Sequence, residues 1–171
     1  MCGIAGYLGP TNLSPTSDQI KSCINLMKRR GPDFQNLIKK KIGNNELVML
    51  HSRLSIIDPV KKSNQPMEDH NGIISFNGEI YNYIELKKKY KFNSLRTNSD
   101  TEVLLKYLSL EKDNTLEDLD GMWAYSFYNK KQNKFYLCRD RFGEKPLYYF
   151  YDGIKLYYGS NINYIFSLRN Q

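Results

Sequence analysis

MCGIAGYLG, residues 1–9, places a cysteine directly behind the initiator methionine and ahead of a run of strand-forming residues. A cysteine inside a strand is usually a small hydrophobe. At position 2 the expectation differs, because aminopeptidases remove a methionine that precedes a small residue. The mature chain would then begin at Cys2, with a thiol and a free α-amine on one Cα. An α-amine has a reference pKa of about 7.7–8.0, closer to neutrality than a lysine amine. Such a residue is a nucleophile with its own base attached. The remainder, CGIAGYL, reads as a strand.

Composition narrows the field. A chain of 171 residues, 40% hydrophobic and 25% charged, is of ordinary globular size. No run reaches the roughly 20 apolar residues of a membrane span, and the N-terminus lacks a secretory pattern. Cys2, Cys23 and Cys138 offer no C-x-x-C spacing, so neither a disulfide framework nor a metal site is expected. A reducing, cytoplasmic setting fits this cysteine usage. The net charge of +7 includes Lys39–Lys41 and Lys87–Lys89. Without a nucleic-acid-binding motif, these clusters read as solvated faces, and no nucleic-acid or membrane partner is expected. The 14 tyrosines fall mostly in alternating patterns that pack on a sheet.

Along the chain, strands and helices come in blocks. Ile20, Cys23, Ile24 and Met27 have helical spacing, with basic residues 28–30 in the last turn and Gly31-Pro32 as a stop. LVMLHSRLS and GIISFNGEI read as strands, the second bounded by Asn71-Gly72 and Asn77-Gly78 turn signals. Tyr83–Tyr90 reads as a helix. Ser99 to Glu102 has capping-box spacing at the start of another. Four β stretches follow Gly121, then a short helix over 163–168. Blocks of this kind predict α+β layering, not a doubly wound parallel sheet.

Four stretches stand beside Cys2 as candidates. In HSRLSIID, residues 51–58, Arg53 lies in an apolar segment where an unpaired guanidinium is expensive to bury. Its fork suits a planar carboxylate, either a ligand's or that of Asp58. In FNGEIYN, Asn77-Gly78 is either a turn or a pair of donors, one side-chain NH₂ and one backbone N–H, converging on an oxyanion. In NSDTEVLL, Asp100 is explained adequately by a helix N-terminus, and its carboxylate could also take a ligand's ammonium group. In CRDRFGEKPLYY, Gly143 and Pro146 predict a tight loop, with Asp140-Arg141 as a surface pair.

The order MCGI, RRGPD, HSRLSIID, QPM, NGEIYN, NSDTEVLL, LDGMWAYSFYN, DRFGEKPLYY resembles the glutaminase domain of glutamine-hydrolysing asparagine synthetases. That domain is a class II glutamine amidotransferase of the N-terminal-nucleophile hydrolase type, and the likeness runs from Cys2 to about Ser167. It implies one domain over residues 1–171, folded as a four-layer α/β/β/α sandwich with two mainly antiparallel sheets. It implies hydrolysis of free L-glutamine to glutamate and ammonia through a Cys2 thioester, with Asn77 and Gly78 as the oxyanion pair. Arg53 matches the residue that binds the substrate carboxylate, and Leu54, Ser55, Ile56 and Ile57 match a strand forming the pocket wall. Glu79 and Asp100 match the acidic residues around the substrate's backbone groups, Asp100 chiefly its α-ammonium.

The half-reaction so implied uses no metal or cofactor. ATP and Mg would belong to a synthetase domain that receives the ammonia, and no phosphate loop of that kind occurs in these residues. A homodimer is compatible with the resemblance. Arg29, Asn36 and Asn161 depart from the family's usual His, Gly and Glu. Alternative readings are a non-catalytic docking module of the same fold and a glutaminase serving a sugar or natural-product amidotransferase.

Overall fold

A computed structural model describes residues 1–110 and 115–170. The first strand, β1 (Gly3–Pro10), is followed by helix α1 (Ser17–Met27) and a hairpin of β2 (Phe34–Ile42) and β3 (Asn45–Arg53). Next come β4 (Met67–Glu68), β5 (Gly72–Ile80) and the helices α2 (Tyr83–Lys89) and α3 (Asp100–Leu108). The chain continues through β6 (Gly121–Asn129), β7 (Lys134–Arg139), β8 (Tyr148–Tyr151), β9 (Leu156–Gly159) and α4 (Ile162–Arg169). One sheet has the order β2-β3-β1-β9-β8 and the other β4-β5-β6-β7, with antiparallel pairing throughout.

The period of two in each strand builds the layers. Val48 and Leu50 of β3 turn outward and pack with Ala5 and Tyr7 against Ile20, Cys23 and Met27 of α1 and Ile165 and Leu168 of α4. Leu47 and Met49, one position out of phase, turn inward against Ile73 and Tyr128 of the second sheet. On the far side Ile74 and Phe76 meet Val103 and Leu104 of α3 and Leu86 of α2. The result is the expected α/β/β/α sandwich. Gly6 is required by close approach: a Cβ there would lie 2.3 Å from Tyr158 Oη, whose side chain is fully buried.

Several local expectations are corrected. Asn77-Gly78 is no turn. Both residues lie inside β5, where Asn77 faces Ala124 and Gly78 faces Trp123, so the ladder with β6 overrides the local turn propensity. Leu54–Ile57 is no strand, since β3 ends at Arg53. The Arg53 side chain takes the carbonyls of Ile57, Asp58 and Val60, which folds the chain back upon it. Lys39–Lys41 lies on the edge strand β2, a place where lysines discourage strand addition. Asp140 is not half of a surface pair. It is buried and accepts backbone N–H groups from Trp123, Phe142, Glu144 and Lys145. Burial alone would raise its carboxyl, but these donors hold it below the usual carboxylate range. Tyr148, Tyr149 and Tyr151 of β8 are exposed, unlike the sheet-packed Tyr157 and Tyr158.

The reciprocal capping box is at α1, where Thr16 Oγ1 accepts from Gln19 N and Gln19 Oε1 accepts from Thr16 N. At α3 only half of one forms. Ser99 Oγ accepts from Glu102 N, but the Glu102 carboxylate is drawn to Thr97 and Arg96. Thr16→Ala is therefore expected to lower the unfolding free energy by about 1 kcal/mol, read from urea denaturation.

Candidate active site

β1 begins, β3 ends and β5 ends at the same end of the two-sheet stack, and the N-terminus of α3 abuts them there. Cys2 precedes β1 and is half-buried. Its Sγ accepts the Leu54 N–H at 3.4 Å, and Arg30 Nε donates to the Cys2 carbonyl at 3.0 Å. Burial raises the thiol above its ordinary pKa, opposed by the Leu54 N–H and by the positive charges of the N-terminus and Arg53. Asp33 of the RRGPD stretch accepts the Ser55 N–H at 2.7 Å and so fixes the loop that carries Leu54.

A cavity of about 100 Å³ opens in front of Cys2. Arg53, Asn77, Gly78, Glu79 and Asp100 all line it, as do Leu54, Ile56 and Ile57 of the loop. Ser55 does not, its N–H being spent on Asp33. Ile56 is a rim residue, 74% exposed. The Met1 side chain lines the same cavity, with Sδ 3.8 Å from both Arg30 Nη2 and Lys145 Nζ. Removal of Met1 would thus enlarge the space as well as free the Cys2 amine.

Arg53 is 5% exposed, and among the described residues no carboxylate pairs with it. Nη1 donates to Val60 O (3.1 Å) and Asn64 Oδ1 (2.7 Å), and Nη2 to Ile57 O (3.1 Å) and Asp58 O (2.7 Å). The sequence-based pairing with the Asp58 carboxylate is therefore replaced by a bond to its carbonyl. The carboxylate itself accepts from Ser63 Oγ and Asn98 N. Since both terminal nitrogens hold the loop, Arg53 brings the cavity wall a positive charge, not an open fork.

The acidic side is built on β5 and α3. Asp100 is 4% exposed, and its Oδ2 accepts the Ile80 N–H at 3.1 Å. Burial pushes its carboxyl up to about 6, against the N–H groups of Ile80 and Thr101, with the charge of Glu79 adding to the rise. Asn77 is 1% exposed, and among the described residues its side-chain Nδ2 has no hydrogen-bond partner. A buried, unused donor of this kind is costly unless a ligand satisfies it. Gly78 sits so close to β6 that a Cβ would lie 2.2 Å from Met122 O. Its requirement is space, and no unusual backbone angle is involved.

The ladder also fixes where the Gly78 N–H points. Phe76 N and Ile80 N both bond to side chains on the edge of β5 away from β6. Alternation turns the N–H of Gly78, midway between them, to that same edge.

Among the wall residues not anticipated as site residues are Gln65, Thr101, Met122 and Lys145. Gln65 and Lys145 lie in the QPM and GEKP stretches, so proximity to a motif was the available signal. Thr101 follows Asp100 directly. Met122 lies in the LDGMWAYSFYN stretch, and the β5–β6 register, which sets it opposite Glu79, brings it to the wall. His51 is fully buried, with Nε2 3.0 Å from Phe76 O, and burial lowers its pKa to about 4. It is a neutral structural group.

Residues 1–170 match the glutamine amidotransferase domain family. The chain is 40% identical to asparagine synthetase [glutamine-hydrolyzing] 1 of Bacillus subtilis over 94% of its own length and 26% of that protein. It is 33% identical to putative asparagine synthetase [glutamine-hydrolyzing] 2 of Methanocaldococcus jannaschii over 99% of its length and 36% of that protein. It thus spans between a quarter and a little over a third of these relatives. Among solved structures, the glutamine phosphoribosylpyrophosphate amidotransferase of B. subtilis superposes with a TM-score of 0.73 at 18% identity, over 99% of this chain and 44% of that one, a likeness of fold. Motif order, sandwich topology and sequence similarity over nearly the whole chain agree, and the chain belongs to the glutamine amidotransferase domain family.

Proposed function

We propose that residues 1–171 act as a single glutaminase domain that hydrolyses the side-chain amide of free L-glutamine and supplies the ammonia to an ATP-dependent, asparagine-synthetase-type amidation. The observation that carries this is the cavity in which the Cys2 thiol meets an unpartnered Asn77 amide, an edge-facing Gly78 N–H, a buried cation and a buried acid. A free amino acid has the complementary set: a carboxylate for Arg53, an ammonium for Asp100 and Glu79, and an amide carbonyl for the two donors.

In this reading Met1 is removed, and the Cys2 α-amine takes the thiol proton, directly or through a water. Sγ attacks the amide carbon, and the oxygen that becomes negative is held by Asn77 Nδ2 and Gly78 N–H. Collapse expels ammonia, protonated by the amine, and leaves a thioester. Water, deprotonated by the same amine, then releases glutamate. The Leu54 N–H at Sγ steadies the thiolate, while Leu54, Ile56 and Ile57 exclude water from one side of the cavity. No metal or cofactor takes part in these steps. ATP and Mg act in a synthetase domain or subunit that receives the ammonia, and the reaction is assigned to the cytoplasm.

Cys2→Ala is expected to abolish ammonia release in a coupled glutamate assay, and Asn77→Ala to lower kcat by about 10²–10³-fold. Ammonia release from Cys2→Ala equal to that of the parent would remove Cys2 as the nucleophile.

Glutamine affinity should also depend on pH. Asp100 attracts an ammonium only when ionised, and its carboxyl titrates near 6 in the free protein. As pH falls through that value the acid becomes neutral and binding weakens, by up to about tenfold per pH unit below it. Calorimetric titration of glutamine into Cys2→Ala between pH 5 and 7 checks this. Asp100→Asn should bind weakly and without that dependence, and an equally flat profile for Cys2→Ala with Asp100 intact would contradict the assignment.

A further inference from the structure

Gln65, from the QPM stretch, has no role in the chemistry above, yet it touches both halves of the site. It is 5% exposed. Its Oε1 accepts the Phe76 N–H at 2.7 Å, and its Nε2 donates to Thr101 Oγ1 at 3.2 Å. Phe76 precedes Asn77 and Gly78, and Thr101 follows Asp100. The carbonyl of the same residue, in the next peptide, is also held, since Phe76 O lies 3.0 Å from His51 Nε2. Four residues on, the Asp100 carboxylate takes the Ile80 N–H. Residues 77–79 are thus suspended between two side-chain clamps, one of them Gln65.

Sheet topology explains why a clamp is needed. β4 pairs with β5 only at Ile73 and Ile74, so beyond that point the edge of β5 has no partner strand. The Phe76 N–H would otherwise be a buried donor without an acceptor. A primary amide can accept from the strand and donate to the helix at once, which neither a thioether nor a carboxylate can do.

We propose that Gln65 is a positioning residue: it locks the strand carrying the Asn77–Gly78 donors to the helix N-terminus carrying Asp100, so that both meet one ligand at a fixed spacing. The inference rests on the glutaminase reading. A displacement of about 1 Å at such a site costs on the order of 10²-fold in rate, so the lock should be visible in kinetics.

The test compares the Met1-processed full chain with Gln65→Met and with Gln65→Asn, which keeps the amide but withdraws it by one methylene. Each is assayed at a temperature where circular dichroism reports it folded. Both are expected to lower kcat for glutamine hydrolysis by about tenfold or more, and hydrogen exchange should quicken at the Phe76 amide. Thr101→Val, which removes the helix arm and with it the Thr101 hydroxyl's own 3.5 Å contact to Asp100 Oδ1, should act mainly on KM. Variants that melt earlier but keep kcat and KM within about twofold of the parent would reduce Gln65 to a scaffold residue and overturn the proposal. If neither Gln65 variant folds, a Thr101→Val protein with kcat and KM within about twofold of the parent overturns the proposal, and a raised KM with faster hydrogen exchange at the Phe76 amide supports it. A processed parent that hydrolyses no glutamine would instead overturn the glutaminase reading, and this proposal with it.

Discussion

The site depends on one edge of one strand. β5 is paired along its whole length with β6 but only at two residues with β4, so three successive edge N–H groups, at Phe76, Gly78 and Ile80, lack a strand partner. Two of them are taken by protein side chains, Gln65 and Asp100. Between them stands a glycine, at a position where the approach of β6 leaves no room for a Cβ. A sheet that stops pairing early would normally be a liability. Here the gap is filled at both ends and faces the cavity in the middle, next to the Asn77 amide.

Around that edge the protein buries charge of both signs without pairing the two. Arg53 is held by three carbonyls and an amide oxygen, which satisfy its terminal nitrogens but not its charge. Asp100 accepts N–H groups, yet burial still carries its carboxyl up to about 6. Leaving isolated charges in a low-dielectric site is unfavourable for the empty protein. The arrangement makes sense when a zwitterion supplies both counter-charges, and binding energy then offsets what folding gave up. Buried polar groups without partners, such as Asn77 Nδ2, follow the same logic.

How far the sequence revealed this varied with the kind of signal. The start of the strand GIISFNGEI was legible, and so were the apolar faces of α1 and α3, because local periodicity and burial agree there. Motif order brought Cys2, Arg53, Asn77, Gly78 and Asp100 into one group before any coordinates did. Misreadings came where long-range pairing overrides local preference. Asn77-Gly78 is a strong turn signal that the β6 ladder straightens, and FQNLIKKKI forms an edge strand that its lysine run concealed. The Gln65 bridge spans 11 residues to Phe76 and 36 to Thr101. No pattern within a window of sequence could signal it. The four donors of Arg53 turned toward its own loop were equally hidden, for guanidinium geometry is set by where the chain folds back.

The mature chain is expected to carry an N-terminal cysteine competent to attack a glutamine-like electrophile. Intact mass spectrometry of the purified protein, before and after incubation with a diazo-ketone glutamine analogue, tests it most directly. The expected result is a chain lacking Met1 that gains a single adduct, mapped to Cys2 by peptide sequencing. A processed chain that takes no label, or takes it on Cys23 or Cys138, would contradict it.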